Sequence, residues 1–271
     1  MQLEIGSKVL VMGILNVTPD SFSDGGHFFS KSSIAAQIEN MLESGADIID
    51  VGGESTRPFA EPVSIEDELS RVLPAIRQIR QRSPVPISID TTKAEVARKA
   101  LDEGADIIND ISALRFDPDM IRLVRETDVP VIIMHMQGTP SDMQVDPHYE
   151  DVVVEISDFF KERLAWAAEN GVSEKRFIID PGIGFGKSVG HNLSILKRVS
   201  EFSGLGCPVL IGHSRKAFIG KILNTEVDER DVATAAVSAL CVMQGVSILR
   251  VHDVKKTVEA VRLAEAINSA D

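Results

Sequence analysis

Short apolar runs alternate with amphipathic segments from one end of the chain to the other. Such runs, bounded by polar or turn-forming residues, predict buried β-strands. Eight of them are present: Val9–Leu15, Ile48–Val51, Pro86–Ile89, Ile107–Ile108, Val129–Met134, Phe177–Ile179, Pro208–Ile211 and Ile248–Val251. Because the runs do not alternate between apolar and polar positions, both faces of the predicted sheet should be buried.

The segments between these runs carry apolar residues at helical spacing. In one of them Leu69, Val72, Ile76 and Ile79 fall on a single face of a 3.6-residue repeat. The same pattern predicts eight helices: Ser33–Glu43, Ser64–Arg82, Glu95–Glu103, Asp119–Arg125, His148–Asn170, Asn192–Glu201, Asp231–Gln244 and Val254–Ile267.

Residues that commonly begin and end helices support these predictions. Ser30, Ser64 and Asp253 stand where a side chain can cap the first turn. Glycines follow four of the predicted helices, where a left-handed residue often ends a helix: Gly45, Gly104, Gly171 and Gly245.

About eight β-α units in one chain predict an α/β protein with the (β/α)8 TIM-barrel architecture. An open, doubly wound sheet is the alternative. That fold favours a GxGxxG turn after the first strand, and none follows Leu15. No linker rich in Pro, Gly or Ser divides the chain, so residues 1–271 are predicted to form a single domain.

Polar and charged residues stand just after the apolar runs. In a TIM barrel the carboxyl ends of the strands converge on one face, where the chemistry takes place. The residues at these positions are Asn16, Glu54, Ser55, Thr56, Arg57, Asp90, Asn109, Asp110, His135, Asp180, Ser214, Arg215, Lys216, Arg250 and His252. Some have structural alternatives, since Asp90 could cap a helix and His135 could be a satisfied core histidine. Helix capping alone does not require Arg, Lys and Asp on one rim.

The residue types at this rim suit a heterocycle and a phosphate. Carboxylate and amide oxygens at three strand ends (Asp90, Asn109 and Asp180) can accept hydrogen bonds from a flat ring rich in N–H donors, and Lys216 can reach a ring carbonyl or nitrogen. Arg250 and His252 lie two residues apart on one strand and share a face. With Asn16 they can hold a phosphate or pyrophosphate and stabilise its charge as it leaves.

Three loops add to this prediction. Asn16–Gly26 and Ser55–Pro62 are long for their places, and Arg57 gives the second loop an anion-binding group. These two loops are predicted to close over a second substrate. The glycines of Pro181–Lys187 permit close backbone approach, and its Phe185 offers a ring face; an ordinary tight turn is the alternative for this segment.

Charge and cysteine content narrow the function classes. A net charge of −13 and a pI of about 4.9 disfavour nucleic acid and anionic membrane partners, although local Arg and Lys can still bind a small anion. Cys207 and Cys241 have apolar neighbours and are predicted to be buried hydrophobes, as in a reducing compartment. No membrane-spanning run and no signal-like N-terminus are recognisable, so a cytoplasmic location is expected.

Eight segments at the predicted strand ends resemble the motifs of one family, the bacterial dihydropteroate synthases, which bind pterins in folate biosynthesis. The match spans essentially the whole chain. Written from their first to their last residues, the segments are Gly13–Gly26, Gly52–Pro58, Ser88–Thr91, Asn109–Ser112, Met134–Gly138, Asp180–Lys187, Ser214–Lys216 and Arg250–His252.

The resemblance implies a transferase. Pyrophosphate would leave early from 6-hydroxymethyl-7,8-dihydropterin pyrophosphate, and the amine of p-aminobenzoate would attack to give 7,8-dihydropteroate. The residues implied to hold the pterin are Asp90, Asn109, Met134, Asp180 and Lys216. Of these, Asp90, Asp180 and Lys216 are implied to be catalytic, together with Arg250.

The resemblance also implies the sites for the other groups. Pyrophosphate would be held by Asn16, Arg250 and His252, and Asn16 would help to place Mg²⁺. The p-aminobenzoate site would be formed by Thr56, Arg57, Pro58, Phe185 and Ser214.

Sulfonamides are implied as competitive inhibitors. Phe59 stands where many relatives of this family carry a small residue, which bears on how the p-aminobenzoate side is shaped. A homodimer is expected through the last two predicted helices, because both carry apolar residues on more than one face.

Two other functions are weighed against this one. A methyltransferase of the same pterin-binding type would share the Asp and Asn contacts to the ring. It would have no use for Arg57 or for the pair Arg250 and His252. A non-catalytic, degenerate barrel should have lost residues of the rim, and no loss is evident.

Overall fold

The structure is a computed structural model that describes residues 5–6, 8–18, 31–55, 62–140 and 142–270. The strands in these ranges are β1 Leu10–Asn16, β2 Ile48–Gly52, β3 Ile87–Asp90, β4 Ile107–Asp110, β5 Val131–Met134, β6 Phe177–Asp180, β7 Leu210–Ile211 and β8 Ile248–Val251. The α-helices are α1 Lys31–Glu43, α2 Ile65–Arg82, α3 Ala94–Asp102, α4 Met120–Glu126, α5 Val152–Glu169, α6 Val189–Lys197, α7 Ala217–Leu223, α8 Asp231–Val242 and α9 Val254–Asn268.

The strands form a parallel barrel. Their order in the sheet is β6-β5-β4-β3-β2-β1-β8-β7. A parallel bridge between Ile179 and Val209 joins β6 to the start of β7, and the N–H of Ile179 donates to the carbonyl of Pro208 at 3.0 Å. The predicted TIM-barrel architecture is therefore confirmed, and the open sheet is excluded because the two ends of the strand order meet.

The eight predicted strands are all present, with small differences at their ends. Asn16, Asp90 and Asp180 are the last residues of β1, β3 and β6, so the strands continue into the polar residues that the apolar pattern excluded. Backbone pairing in a sheet does not depend on side-chain polarity. This extension matters for function because it fixes the three side chains on rigid backbone.

The helix predictions were wrong in three places. The helix predicted from His148 begins at Val152, after Asp151, whose side chain accepts from the N–H groups of Val153 and Val154. The short helix α7 was not predicted. The predicted helix Asn192–Glu201 is α6, which begins earlier and ends at Lys197, followed by a 3-10 helix over Val199–Leu205. Ser188 begins α6 because its hydroxyl accepts from the N–H of His191, whose side chain accepts in turn from the Ser188 N–H.

Most of the predicted caps are confirmed. Ser64 accepts from the N–H of Asp67, and Asp253 accepts from the N–H of Lys256. The four predicted glycines all have left-handed φ angles, between 80° and 104°: Gly45, Gly104, Gly171 and Gly245. Ser30 lies outside the described residues. The predicted burial of Cys207 and Cys241 is also confirmed.

The barrel interior is apolar at the end where the strands begin. Alternate residues of a strand point to the same face, and one buried cluster inside the barrel takes its members from seven strands. Its residues are Leu10, Met12, Ile48, Ile107, Ile132, Ile178, Leu210 and Ile248. The larger core lies between the strands and the helices. Two residues further along four of these strands the inward position is polar, at Asp50, Asn109, Asp180 and Arg250.

Candidate active site

The polar inward positions follow from the register of the sheet. Asn16 pairs with Gly52, Gly52 with Asp90, and Asp90 with Asn109. Paired residues of neighbouring strands share a face, so these residues lie side by side above the apolar cluster. We call the polar end of the barrel the mouth. It is lined by Asn16, Asp50, Asp90, Asn109, Met134, Asp180, Lys216, Arg250 and His252.

Arg250 is held between two carboxylates of the mouth. Its Nε donates to Asp50 Oδ2 and its Nη2 donates to Asp90 Oδ2, both at 2.7 Å. Burial alone would lower the pKa of Arg250, but the charges of Asp50 and Asp90 raise it. The guanidinium is therefore charged and is fixed at two of its nitrogens.

Asn109 is tied to the same group. Its Nδ2 lies 3.3 Å from each oxygen of Asp50. A carboxylate accepts hydrogen bonds and the amide nitrogen donates them, so this contact leaves Asn109 Oδ1 as an acceptor for another molecule. Asn109 and Asp50 are both buried.

Burial shifts two carboxyl groups of the mouth, Asp90 and Asp180, toward their neutral forms. It raises the pKa of Asp90 to about 7, with Arg250 opposing the rise and Asp50 adding to it. Burial also raises the pKa of Asp180, while the N–H of Gly182, which donates to Asp180 Oδ1 at 2.8 Å, opposes that rise. Both acids are therefore costly to bury as anions and gain from a ligand that donates N–H groups or carries positive charge.

Lys216 supplies a cation on the opposite side of the mouth. Burial lowers its pKa to about 8, and Arg250 adds to the fall while Asp180 and Asp90 oppose it. Its Nζ lies 4.1 Å from the centre of the Phe185 ring, which is a cation–π distance. Phe185 itself packs with Met134 in a buried apolar cluster beside the mouth.

His252 and Ser214 form a pair at the rim. Ser214 Oγ lies 2.9 Å from His252 Nδ1 and accepts from the His252 N–H at 3.1 Å. Burial lowers the pKa of His252 to about 3, and the positive charges of Arg215 and Arg250 add to the fall. The imidazole is therefore neutral at pH 7. The Ser214 hydroxyl contacts both the ring and the backbone N–H of His252.

His135 lies in the core and not at the rim. Its Nδ1 is 3.0 Å from Lys187 Nζ, its ring meets Phe159 edge-on, and burial lowers its pKa to about 2. The alternative of a satisfied core histidine is therefore the correct one. Lys187 also donates to the carbonyls of His135 and Phe185, at 3.3 and 2.9 Å, which joins the loops after β5 and β6.

Two glycines leave room in the mouth. A side chain added at Gly52 would place its Cβ 3.5 Å from Asp90 Cβ and 3.6 Å from Asn16 Oδ1. One added at Gly212, just after β7, would place its Cβ 3.7 Å from Asp180 Oδ2. The space between the two aspartates is therefore kept open by the absence of side chains at two inward positions.

Thr56, Arg57 and Pro58 lie outside the described residues, as does the first loop beyond Thr18. The described flanks of the second loop are joined, because Glu54 Oε1 accepts from the N–H of Val63 at 3.3 Å. Glu54 also forms an ion pair with Lys93.

The structure adds a residue of the mouth that the sequence analysis missed. Asp50 is fully buried on β2 and contacts both Arg250 and Asn109. A signal for it was present, since Asp50 is a charged residue inside an otherwise apolar run, and such residues are almost always paired. Asp50 lies two residues before the end of β2, so it does not belong to the residues that follow the apolar runs.

The described residues of the mouth suit a metal ion that is held mainly by the bound substrate. These residues contain no cluster of three or more His, Cys, Asp or Glu side chains that could bind a metal. Asn16 Oδ1 nevertheless faces the mouth near Gly52. Mg²⁺ commonly takes one or two protein oxygens and completes its shell with phosphate oxygens and water, so Asn16 fits Mg²⁺ that arrives with a pyrophosphate.

Comparisons with known proteins agree with this geometry. The model of the family "Pterin binding enzyme" matches residues 12–252. The dihydropteroate synthase of Escherichia coli strain K12 is 49% identical over 260 residues, which cover 96% of this chain and 92% of the relative.

Two solved structures are also similar. That of the Yersinia pestis dihydropteroate synthase with a sulfonamide drug complex has a TM-score of 0.94 at 42% identity, with all of both chains covered. The Xanthomonas albilineans enzyme with 4-aminobenzoic acid has a TM-score of 0.92 at 43% identity, covering 98% of this chain and 95% of that one.

Proposed function

The chain belongs to the pterin-binding enzymes and, among them, to the dihydropteroate synthase family, and from that premise we propose how its mouth carries out the family's reaction. The enzyme is a transferase. It joins p-aminobenzoate to the methylene carbon of 6-hydroxymethyl-7,8-dihydropterin pyrophosphate and releases 7,8-dihydropteroate and pyrophosphate. The observation that carries this conclusion is that acceptor side chains lie together with Lys216 and Arg250 in one barrel mouth. The chain that forms this mouth is 49% identical over 260 residues to a dihydropteroate synthase.

The pterin occupies the acidic half of the mouth. Asp90, Asn109 Oδ1 and Asp180 accept hydrogen bonds from its N–H groups, and Lys216 donates to a ring carbonyl or nitrogen. Met134 packs against the ring from β5. Both buried aspartates gain solvation from these donors, which offsets the cost of holding them as anions.

The same acids assist bond breaking. Aryl amines are weak nucleophiles, so the C–O bond to pyrophosphate breaks early and leaves a pterin-methylene cation. Asp90 and Asp180 favour the positive charge as it develops, while Arg250 favours the negative charge that departs. The amine nitrogen then forms the new C–N bond and loses a proton to solvent or to pyrophosphate. Asp90, Asp180, Lys216 and Arg250 are thus the catalytic residues of the proposal.

Asn16, Arg250 and His252 hold the pyrophosphate at the rim. Because Ser214 Oγ faces His252 Nδ1, a hydroxyl proton donated to Nδ1 leaves Nε2–H free to donate to a phosphate oxygen. This contact supports placing Ser214 on the pyrophosphate side, as a positioning residue for His252. The p-aminobenzoate site then depends on Phe185 from the described residues, together with Thr56, Arg57 and Pro58.

Mg²⁺ is the proposed cofactor. Asn16 would hold it together with the pyrophosphate oxygens, and when bound it would neutralise charge on the leaving group.

We also propose sulfonamides as competitive inhibitors that take the place of p-aminobenzoate. This is supported by the sulfonamide drug complex of the Yersinia pestis enzyme. The methyltransferase and the non-catalytic barrel are not favoured, because the similar proteins are synthases along nearly their whole length.

A homodimer is proposed through α8 and α9. These two helices pack together, and their outer faces expose large apolar side chains: Val232, Leu240, Leu263 and Ile267. Apolar residues on the outward face of a helix commonly mark a partner surface. No described helix is long and apolar enough to cross a membrane; the expected cytoplasmic location stays a prediction.

The test is pyrophosphate release by the purified chain with pterin pyrophosphate, p-aminobenzoate and Mg²⁺, with and without a chelator. Lys216→Ala is expected to lower kcat/KM by about 10²- to 10³-fold, since it removes a charged donor from the mouth. Lys221→Ala, on the exposed side of α7, is the matched control and should keep wild-type kinetics. Wild-type protein that releases no pyrophosphate in response to p-aminobenzoate would refute the proposed function.

A further inference from the structure

Asp50 is a buried carboxylate beneath the substrate-facing residues of the mouth. It is 0% exposed and faces into the barrel from the middle of β2. Its register partners are Ile14 on β1 and Ser88 on β3. The substrate-facing positions Asn16, Gly52 and Asp90 lie two residues further along these same three strands, so Asp50 lies one layer below the ligand.

We propose that Asp50 is a positioning residue that orients Asn109 and Arg250 toward the pterin substrate. The inference rests on the proposed function and deepens it. Asp50 is fully enclosed, so it acts through its two neighbours and not by touching the substrate.

The first neighbour is the Asn109 amide. An amide can present either its oxygen or its NH₂ group to a ligand, and the two faces have opposite hydrogen-bonding character. Both oxygens of Asp50 lie 3.3 Å from Asn109 Nδ2, which selects one orientation and leaves Oδ1 for the substrate. Without Asp50 the Asn109 amide could rotate, and its NH₂ group would then face an N–H group of the substrate.

The second neighbour is the Arg250 guanidinium. Asp50 binds its Nε and Asp90 binds its Nη2, each at 2.7 Å. Two anchors on adjacent strands fix both the position and the plane of the group. Asp90 alone would leave the guanidinium free to turn about a single contact and would make Asp90 its only anionic partner among the contacts described for it.

The experiment compares three variants of the full chain by steady-state kinetics, with each substrate varied while the other is saturating. Asp50→Asn keeps the size of the side chain and removes its charge. Asn109→Asp keeps an acceptor for the substrate, replaces the donor to Asp50 by an oxygen and adds a negative charge beside Asp50. Ser88→Ala is the matched control, because Ser88 is a fully buried inward residue on the next strand whose Oγ has no hydrogen-bond partner among the described residues.

The expected result is selective. Asp50→Asn and Asn109→Asp should each raise KM for pterin pyrophosphate by about 10- to 100-fold and change KM for p-aminobenzoate by less than about threefold. Ser88→Ala should keep both values. A purely structural role for Asp50 would instead lower the amount of active enzyme and leave both KM values unchanged.

Two results would overturn the inference: a folded Asp50→Asn enzyme with a wild-type KM for pterin pyrophosphate, or an Asn109→Asp enzyme that binds this substrate as well as the wild type. If Asp50→Asn does not fold, the KM of Asn109→Asp for pterin pyrophosphate decides whether the inference holds. Failure of the wild type to turn over would refute the proposed function instead, so the two failures are distinguishable.

Discussion

An acid and a base on opposite sides of the mouth have pKa values that burial has brought close together. Asp90 has its pKa raised to about 7 and Lys216 has its pKa lowered to about 8. In the proposed function Asp90 works as an anion that accepts N–H groups, and Lys216 works as a cation that donates. Both are in the required state only within a narrow range of pH.

This range predicts a bell-shaped pH dependence of kcat/KM for pterin pyrophosphate. Activity should fall below about pH 7, because a raised pKa means that Asp90 is protonated as the pH drops through that value. It should fall above about pH 8, because a lowered pKa means that Lys216 loses its proton as the pH rises through it.

The variant Lys216→Arg tests the alkaline limb. Arginine stays protonated over this range, so the variant should keep the fall at low pH and lose the fall at high pH, even if its overall rate is lower. An alkaline limb that persists unchanged in this variant would assign it to another group.

At the scale of elements, the loops after β5 and β6 behave as one unit. The Tyr149 hydroxyl donates to the Gly186 carbonyl at 2.9 Å, and the Gln144 amide donates to the Gly184 carbonyl at 2.6 Å. Lys187 also joins these loops, because its Nζ contacts His135 Nδ1. Contacts between the two loops therefore position Phe185, whose ring lies against Lys216 Nζ.

Gly182 is the tightest point of this unit. Its φ is +72°, and an added Cβ would lie 2.0 Å from the His135 carbonyl oxygen. Gly182→Ala is therefore expected to lower the free energy of unfolding by at least ~2 kcal/mol in urea titration. Activity should fall as well, because Gly182 N–H donates to Asp180.

Gly190→Ala is the control for that prediction. Gly190 lies exposed in α6, and the nearest atom to an added Cβ is Ser188 Oγ at 3.8 Å. This variant should be as stable as the wild type or slightly more stable, since alanine favours the helix. Equal effects of the two substitutions would mean that the contact with His135 is not tight.

At the scale of the whole molecule, the chain has a net charge of −13, and the outer faces of α8 and α9 expose large apolar side chains. Leu240 and Leu263 are both 64% exposed. The inner side of α8 is connected to the mouth, because Arg215 forms a two-fold ion pair with Asp231, with contacts of 2.6 and 2.7 Å. The loop that carries Ser214 and Lys216 is therefore attached to α8, one of the two helices of the proposed dimer surface.

We predict that the wild type has a mass in solution twice the 29.5 kDa of one chain. Leu240→Glu combined with Leu263→Glu should give monomers, because burying two carboxylates in an apolar interface is costly. Light scattering after size-exclusion chromatography measures this. Val154→Glu is the control, since Val154 is an exposed apolar residue on α5, away from the proposed surface. A monomeric wild type would contradict the prediction.

Much of the fold could be predicted because local patterns and tertiary contacts agree. β8 was predicted with its observed bounds, since three of its four residues are apolar and fully buried. α7 was missed because it has seven residues and contains Gly220, which normally opposes a helix. That glycine is explained only by packing, since an added Cβ would meet the Arg230 guanidinium at 2.2 Å.

The sequence by itself determined the order of elements, the barrel and the polar strand ends, because hydrophobic periodicity and strand termini are local properties of the chain. The tertiary structure decided how these residues are paired. It brought Arg250 against Asp50, which is 200 positions away in the chain, placed His135 in the core and assigned Ser214 to His252. Such pairings depend on register and on closure of the barrel, which join residues that no local pattern connects.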